Sequence, residues 1–198
     1  PETSDNNGQT GEEGKVWKIA VMPKLIGIPY FNASEVGALK AGEDLGVDVQ
    51  YVGPTNADAT EQVKMIEDLI NQGIDALCVA PNDPAALSPV LQKAKDAGIV
   101  VLDWDTPANP DDVVYSINQV DQEEFARLYY DKAVEIAGKD DFKYAILTGG
   151  LNAANLNNWI DLGLKYAKEK YPKLELVTER IPTDESQQLA YQKTLELL

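Results

Sequence analysis

The side chains best suited to chemistry fall in three short stretches. Residues 23–32 read PKLIGIPYFN, residues 80–84 APNDP and residues 103–107 DWDTP. Lys24 brings three N–H donors and a positive charge. Asp105 brings a carboxylate that can accept two charge-assisted hydrogen bonds from neighbouring hydroxyls, and Asp103 has the same capacity. Tyr30 and Phe31 can stack on the apolar face of a small ring. Further on, Asn118 and Gln119 offer amides, and Asn152, Asn155, Asn157 and Asn158 follow the step Thr148-Gly149-Gly150. This set suits non-covalent capture of a polyhydroxylated molecule. Each group also has a plain structural use. Lys24 can be a surface lysine, and Tyr30 or Phe31 can be core under a helix. Asp103 and Asp105 can be loop carboxylates satisfied by local amides, Asn118 part of a hinge, and one or two of the later asparagines helix caps.

Composition narrows the chemistry further. The 198 residues include no His, which removes imidazole triads, the usual imidazole zinc sites and the commonest general base. A single Cys, Cys78, excludes an internal disulfide and a thiolate metal cluster; it lies in an apolar run and reads as an inert thiol. Lys and Arg number 17 against 33 Asp and Glu, a formal charge of −16. Such a surface repels phosphate backbones and anionic membranes, so nucleic acid is not an expected partner. No apolar run approaches the roughly 20 residues of a transmembrane helix. Gly149-Gly150-Leu151-Asn152 lacks the Gly-x-Gly-x-x-Gly and Gly-Lys-Ser/Thr patterns of phosphate loops. Asp103 and Asp105 have no further acidic cluster of metal-binding spacing beside them. Asn32-Ala33-Ser34 matches a glycosylation sequon, a pattern frequent by chance, at an expected helix start. No cofactor and no metal are expected.

The elements that must position these groups alternate strand and helix. Apolar runs at 16–22, 47–52, 74–79 and 99–103 read as strands. Between them, Val63, Ile66, Leu69 and Ile70 form one helical stripe, and Leu87, Val90, Leu91 and Ala94 another. Gly46, Gly73 and Gly98 recur at the joints, where a helix ends in a left-handed residue before a strand begins. Pro84 suits the first turn of a helix after Asn82-Asp83. The pattern is a βαβ series, and so a parallel sheet with helices on both faces. A second series follows: a loop at 106–112, a strand at 113–117, a helix from Asp121, a strand at 142–147, a helix bearing Leu156, Trp159, Ile160 and Leu164 that ends before Pro172, a strand at 174–178 and a helix from Gln187. The expected division is a lobe over residues 15–117 and the first part of a second over 118–198. Residues 1–14, PETSDNNGQTGEEG, carry no large apolar side chain and read as a disordered tether holding a domain near a membrane, or as a frayed terminus. In open parallel sheets, ligands bind outside the carboxyl ends of the strands. Lys24, Tyr30, Phe31, Asp103 and Asp105 all follow strands.

The run KIAVMPKLIGIPYFNASEVGALKAGEDLGVDVQYVGPT resembles the start of a type I periplasmic sugar-binding protein. Pro23-Lys24-Leu25, the pair Tyr30-Phe31, Gly53-Pro54-Thr55, Trp104-Asp105, Ile117-Asn118-Gln119 and Asn157-Asn158-Trp159 are most similar to the autoinducer-2-binding and rhamnose-binding branch. The resemblance covers about residues 16–198. It implies two Rossmann-like lobes that close over a small sugar or polyol, and a solute-binding component of an ATP-driven (ABC) importer, partnered by permease subunits and placed outside the cytoplasm, in a periplasm or as a cell-surface lipoprotein. By position, Lys24 and Asp105 match ligand-contacting residues of autoinducer-2 binders, and Tyr30 and Phe31 match residues that flank the ligand. In the second lobe those binders place an Asp-Gln pair where this chain has Asn155 and Leu156. The loss of a charged acceptor and an amide leaves a pentose, a deoxyhexose or another polyol open. The resemblance also implies three crossings between lobes, whereas this chain has room for one. A fragment with an incomplete second lobe, binding its ligand weakly when alone, is therefore expected. The rival readings are a Rossmann-type enzyme acting on a sugar, the effector-binding domain of a repressor-like sensor, and a receptor that presents ligand to a membrane sensor. An enzyme would need an acid–base set, and a repressor an upstream basic helix-turn-helix. No enzymatic activity is expected.

Overall fold

The computed structural model describes residues 14–198. The expected tether therefore lies, but for Gly14, outside the described residues. The N-terminal half runs β1 (Lys18–Met22), α1 (Pro29–Leu45), β2 (Asp48–Tyr51), α2 (Ala59–Gln72), β3 (Ala76–Val79), α3 (Pro84–Asp96), β4 (Val100–Trp104) and β5 (Tyr115–Ile117). All five strands pair in parallel, in the order β2-β1-β3-β4-β5. The order reverses at β1. Right-handed crossovers then put α1 on one face of the sheet and α2 and α3 on the other.

Strand alternation divides the apolar side chains accordingly. Ala20, Met22, Leu77, Val79 and Val101 face α2 and α3, where they pack with Ile66, Leu69, Leu87, Val90, Leu91 and Ala94 in one fully buried cluster. The opposite face carries α1. There a Cβ on Gly42 would come within 2.8 Å of Val49 Cγ2, so this helix lies close on β2 only because Gly42 has no side chain. The helix ends follow the sequence signals. Asp58 and Asp83 cap α2 and α3 through the amides two and three residues on. Gly46 and Gly73 end α1 and α2 with φ of 67° and 68°. In α3 the cap is Ala97, and the left-handed residue Gly98 follows it.

The C-terminal half contains α4 (Gln122–Ala137), β6 (Lys143–Tyr144), β7 (Leu147–Thr148), α5 (Ala154–Lys170), β8 (Glu175–Leu176), β9 (Ile181–Pro182) and α6 (Gln187–Leu197). β6 pairs with β8 and β7 with β9, both in parallel. The strand expected at 142–147 is thus split in two, and the one expected at 174–178 has a successor. The registers give the reason. Leu147 stands three residues beyond Tyr144, while its partner Ile181 stands five beyond Leu176. Two extra residues on the second strand bulge out, and the ladder resumes with Ile181 N–H donating to the Ile146 carbonyl at 2.9 Å. Across this ladder α4 and α5 pack closely, with Gly163 against the Tyr130 ring. Asp131 on α4 accepts from Tyr166 at 2.8 Å, Tyr171 at 2.7 Å and Lys170 at 3.0 Å, which staples the two helices.

The loops at the carboxyl ends of β1 and β3 are tied by one side chain. The fully buried Gln62 of α2 donates to the carbonyls of Pro23 (3.1 Å) and Ala80 (2.9 Å) and accepts from Asn82 N–H (2.9 Å). Gln62→Leu leaves three buried backbone groups unpaired, each costing about 1–3 kcal/mol. The expected loss of about 3 kcal/mol or more lowers Tm by roughly 10 °C in a protein of this size. Thermal unfolding followed by circular dichroism checks it; a shift of a degree or two would remove Gln62 from this role.

Candidate functional site

The structure brings Lys24, Tyr30, Asp105 and Asn155 together at the carboxyl ends of β1 and β4. Lys24 is only 3% exposed. Its place is set by the Gln62 tie and by Asn82 Nδ2, which donates to the Lys24 carbonyl at 2.8 Å. Lys24 Nζ donates to Asn155 Oδ1 at 3.2 Å and to Glu185 Oε1 at 3.4 Å, and lies 3.9 Å from Asp105 Oδ2. Asn155 and Glu185 belong to the C-terminal half, so this ammonium bridges the two halves.

Asp105 is 6% exposed and sits in a strained turn. Its φ is 61°, and Thr106 N–H closes onto the Trp104 carbonyl at 2.6 Å, which is a three-residue turn with a left-handed centre. The turn aims the carboxylate back into the cleft. Oδ1 accepts from the Tyr30 hydroxyl at 2.6 Å and from Gln119 Nε2 at 2.9 Å; Oδ2 accepts from Thr106 Oγ1 at 3.2 Å. Burial first, and then the hydrogen bond to Asp105 and its charge, push the Tyr30 phenol well above its ordinary range. Tyr51, whose hydroxyl donates to the Phe31 carbonyl at 2.9 Å, is pushed up to about 12 by burial and by the Glu35 and Asp105 carboxylates.

The other sequence candidates lie elsewhere. Phe31 is 3% exposed, with its ring edge-on to Tyr30 (5.0 Å) and Trp104 (5.7 Å). It is packing beneath Tyr30, which is itself 53% exposed. Asp103 is buried on the opposite face of β4. It accepts from Ala108 N–H at 2.8 Å and from Ser116 Oγ, so it holds the loop after β4 against β5. Asn118 is exposed and accepts from Gln122 at 3.3 Å; its neighbour Gln119 is the one that reaches Asp105. Of the later asparagines, none caps α5, whose cap residue is Ala153. Asn152 instead donates to Asp83 Oδ2 at 2.9 Å, a second contact between the halves; Asn157 donates to the Leu151 carbonyl, and Asn158 to Gln122. Cys78 lies half-buried on β3, and burial raises its thiol pKa.

Sequence reasoning passed over Glu185. Its signal is faint: it follows Asp184, and both are left-handed, with φ of 51° and 58°. Nothing in the residue types Asp-Glu announces that geometry. Two cavities meet at this residue. One, of about 420 Å³, opens between the halves and is lined by Asn82, Asp83, Gly150, Asn152, Asp184 and Glu185. The other, of about 750 Å³, is lined mainly by apolar groups of the C-terminal half, among them Tyr129, Phe142, Leu156 and Trp159. Lys24 and Asp105 line neither cavity, and Ile28 and Pro29 of the N-terminal half also border the larger one.

A hydroxyl both accepts and donates, so one placed between Lys24 Nζ and the Asp105 carboxylate can satisfy both at once. Such pairing of donors and acceptors, beside an exposed tyrosine, is suited to meeting hydroxyl groups.

Comparison with known proteins places this fold. The sequence model of the periplasmic binding protein domain matches residues 19–198. The chain belongs to that family. A D-ribose/D-allose-binding protein of Pseudomonas aeruginosa is 34% identical over 96 residues, which are 47% of this chain and 30% of that protein. An ABC transporter solute-binding protein from Clostridium phytofermentas, solved with L-rhamnose bound, is 30% identical with a TM-score of 0.88, over 93% of this chain and 57% of that one. LsrB from Clostridium saccharobutylicum, solved with AI-2, is 26% identical with a TM-score of 0.86, over 91% of this chain and 58% of that one. The chain thus spans less than two thirds of the length of each.

The raised phenols give a pH test. Their stabilisation is fully present below pH 10, the ordinary tyrosine value, and is lost as pH rises through the folded pKa values, near 12 for Tyr51. In an alkaline titration read by phenolate absorbance, part of the signal from the nine tyrosines should lag and appear together with unfolding. Tyr30→Phe and Tyr51→Phe should each remove one late ionisation; a titration completed by pH 10.5 in the folded protein would contradict the site geometry.

Proposed function

We propose that this chain is part of the solute-binding component of an ABC importer, and that it grips a small neutral sugar or polyol between two lobes without transforming it. The observation that carries the reading is the buried Lys24, which faces Asp105 from its own half and Asn155 and Glu185 from the other. Family membership and the sugar-binding names of the relatives support it. On this reading residues 15–117 are one lobe and 118–198 belong to the other, and the lobes close by a hinge near Asn118 and Gln119. Lys24, Asp105, Gln119 and Asn155 hold the ligand hydroxyls, and Tyr30 covers a ring face with Phe31 as its support.

Within the family, we favour the autoinducer-2 and rhamnose branch. The rhamnose-bound and AI-2-bound structures both match over more than nine tenths of this chain. Asn155 in place of an acid makes a deoxyhexose or pentose the better candidate. An extracytoplasmic setting, permease subunits as partners and a membrane tether through the polar residues 1–14 complete the reading.

A charge-assisted hydrogen bond contributes about 1.5–3 kcal/mol. A few of them, with ring packing, reach micromolar affinity, roughly −8 kcal/mol. The test is a thermal-shift screen of the full-length protein against pentoses, deoxyhexoses and autoinducer-2, followed by calorimetry; a ligand that binds only the folded state raises Tm. Asp105→Ala should weaken the responding ligand at least tenfold. No response to any sugar, or an unchanged affinity in Asp105→Ala, would overturn the assignment.

A further inference from the structure

We propose that Glu185 sets the charge selectivity of the cleft, so that it takes uncharged polyhydroxylated ligands and rejects their anionic counterparts, such as uronates and sugar phosphates. The inference rests on the sugar-binding reading above and adds to it the class of ligand excluded.

Three observations fix the Glu185 carboxylate in place. The turn that carries it is pinned to β7: Thr183 N–H donates to the Thr148 carbonyl at 2.8 Å, Thr183 Oγ1 donates to the same carbonyl at 2.9 Å, and Ser186 N–H closes back onto Thr183 at 2.8 Å. Asp184 and Glu185 both hold left-handed backbones, which cost a non-glycine residue free energy and persist where the surroundings demand them. Finally, the carboxylate lies over Gly149, where an added Cβ would stand 2.6 Å from Glu185 Cδ. A side chain at 149 would displace Glu185 from the cleft.

The charges around it are unbalanced. Lys24 is the cation of the site, and two carboxylates, Asp105 and Glu185, already face it. The adjoining cavity of about 420 Å³ adds Asp83 and Asp184 to its lining, and no Lys or Arg is among its lining residues. A neutral hydroxyl entering this cleft gains acceptors. A carboxylate or phosphate meets like charges at a partly desolvated position, where water screens them poorly. Glu185 is the decisive member. Its side chain is 22% exposed, its oxygen touches Lys24, and among the described residues no other cation pairs with it, whereas Asp105 is tied down by Tyr30, Gln119 and Thr106.

The experiment pairs each neutral probe with an anionic partner of the same skeleton: D-glucose with D-glucuronate, D-ribose with ribose 5-phosphate, and L-rhamnose with L-mannuronate. The full-length wild type and Glu185→Gln are titrated calorimetrically with every pair whose neutral member raises Tm. Glutamine keeps the shape and an acceptor oxygen while removing the charge. The expected result is at least a thirtyfold preference for the neutral member in the wild type, falling to under fivefold in Glu185→Gln. Glu185→Ala, measured alongside, should relax the preference in the same direction. An undiminished preference in both variants overturns the inference and leaves the sugar-binding reading standing. A wild type that binds no neutral probe overturns both.

Discussion

A lysine ammonium enclosed almost completely by protein is the constraint from which the rest of this structure follows. Removing an ammonium from water costs several kcal/mol even after the surroundings relax, and only close acceptors offset that. Lys24 finds one carboxylate in its own half and an amide oxygen and a second carboxylate in the other. Its acceptors are complete only when the halves meet. Electrostatics at one atom is thereby coupled to the relative placement of the two halves. Asn152 reaching Asp83 adds a neutral-to-charged contact at the rim of the same interface, with Asp83 also capping α3. That contact thus ends on a helix terminus of the N-terminal half.

The parallel sheet explains why such a site can be held so firmly at strand ends. The strands beneath it are anchored by the apolar cluster shared with α2 and α3, and the loops above are anchored by polar ties: Gln62 for β1 and β3, Asp103 for β4 and β5. The two kinds of anchor lie on the same side chains' reach. Gln62 projects from α2, whose Ile66 and Leu69 are core, so packing of that helix sets the position of Pro23, and through it Lys24. Asp103 and Asp105 divide the work by alternation. Adjacent odd positions on a strand would share a face, but the left-handed turn at Asp105 takes that residue out of the strand pattern and into the cleft.

That division marks how far the sequence could be read. The N-terminal half was legible because its signals are local: helical stripes, the Asn82-Asp83-Pro84 start of α3, and glycines at 46, 73 and 98 at or next to the helix ends. Lys24 and Asp105 were legible as candidates because strand ends in an open parallel sheet are where ligands bind. The role of Asp103 was not, since its partners Ala108 and Ser116 depend on how a loop folds back. Tyr30 and Phe31 look alike in sequence, yet the helix rotates one toward solvent and the other beneath Trp104. In the C-terminal half, a two-residue bulge split the expected strand without any Gly or Pro to announce it. Glu185 was hidden for the same reason, because two successive left-handed residues of ordinary type leave no composition signal.

The geometry of the Lys24 contacts bears on how such a site could both hold and release. Its distances to Glu185 and Asp105, 3.4 and 3.9 Å, are longer than the 2.7–2.9 Å of a tight charge-assisted hydrogen bond. The ammonium is thus held by long contacts from a carboxylate of each half rather than by one tight partner. The Asp105–Tyr30 bond at 2.6 Å is already tight and stays as a fixed wall. The two carboxylates that share Lys24 therefore differ: Asp105 is fixed by its own hydrogen-bond partners, whereas Glu185 is held by its backbone turn and by the lysine.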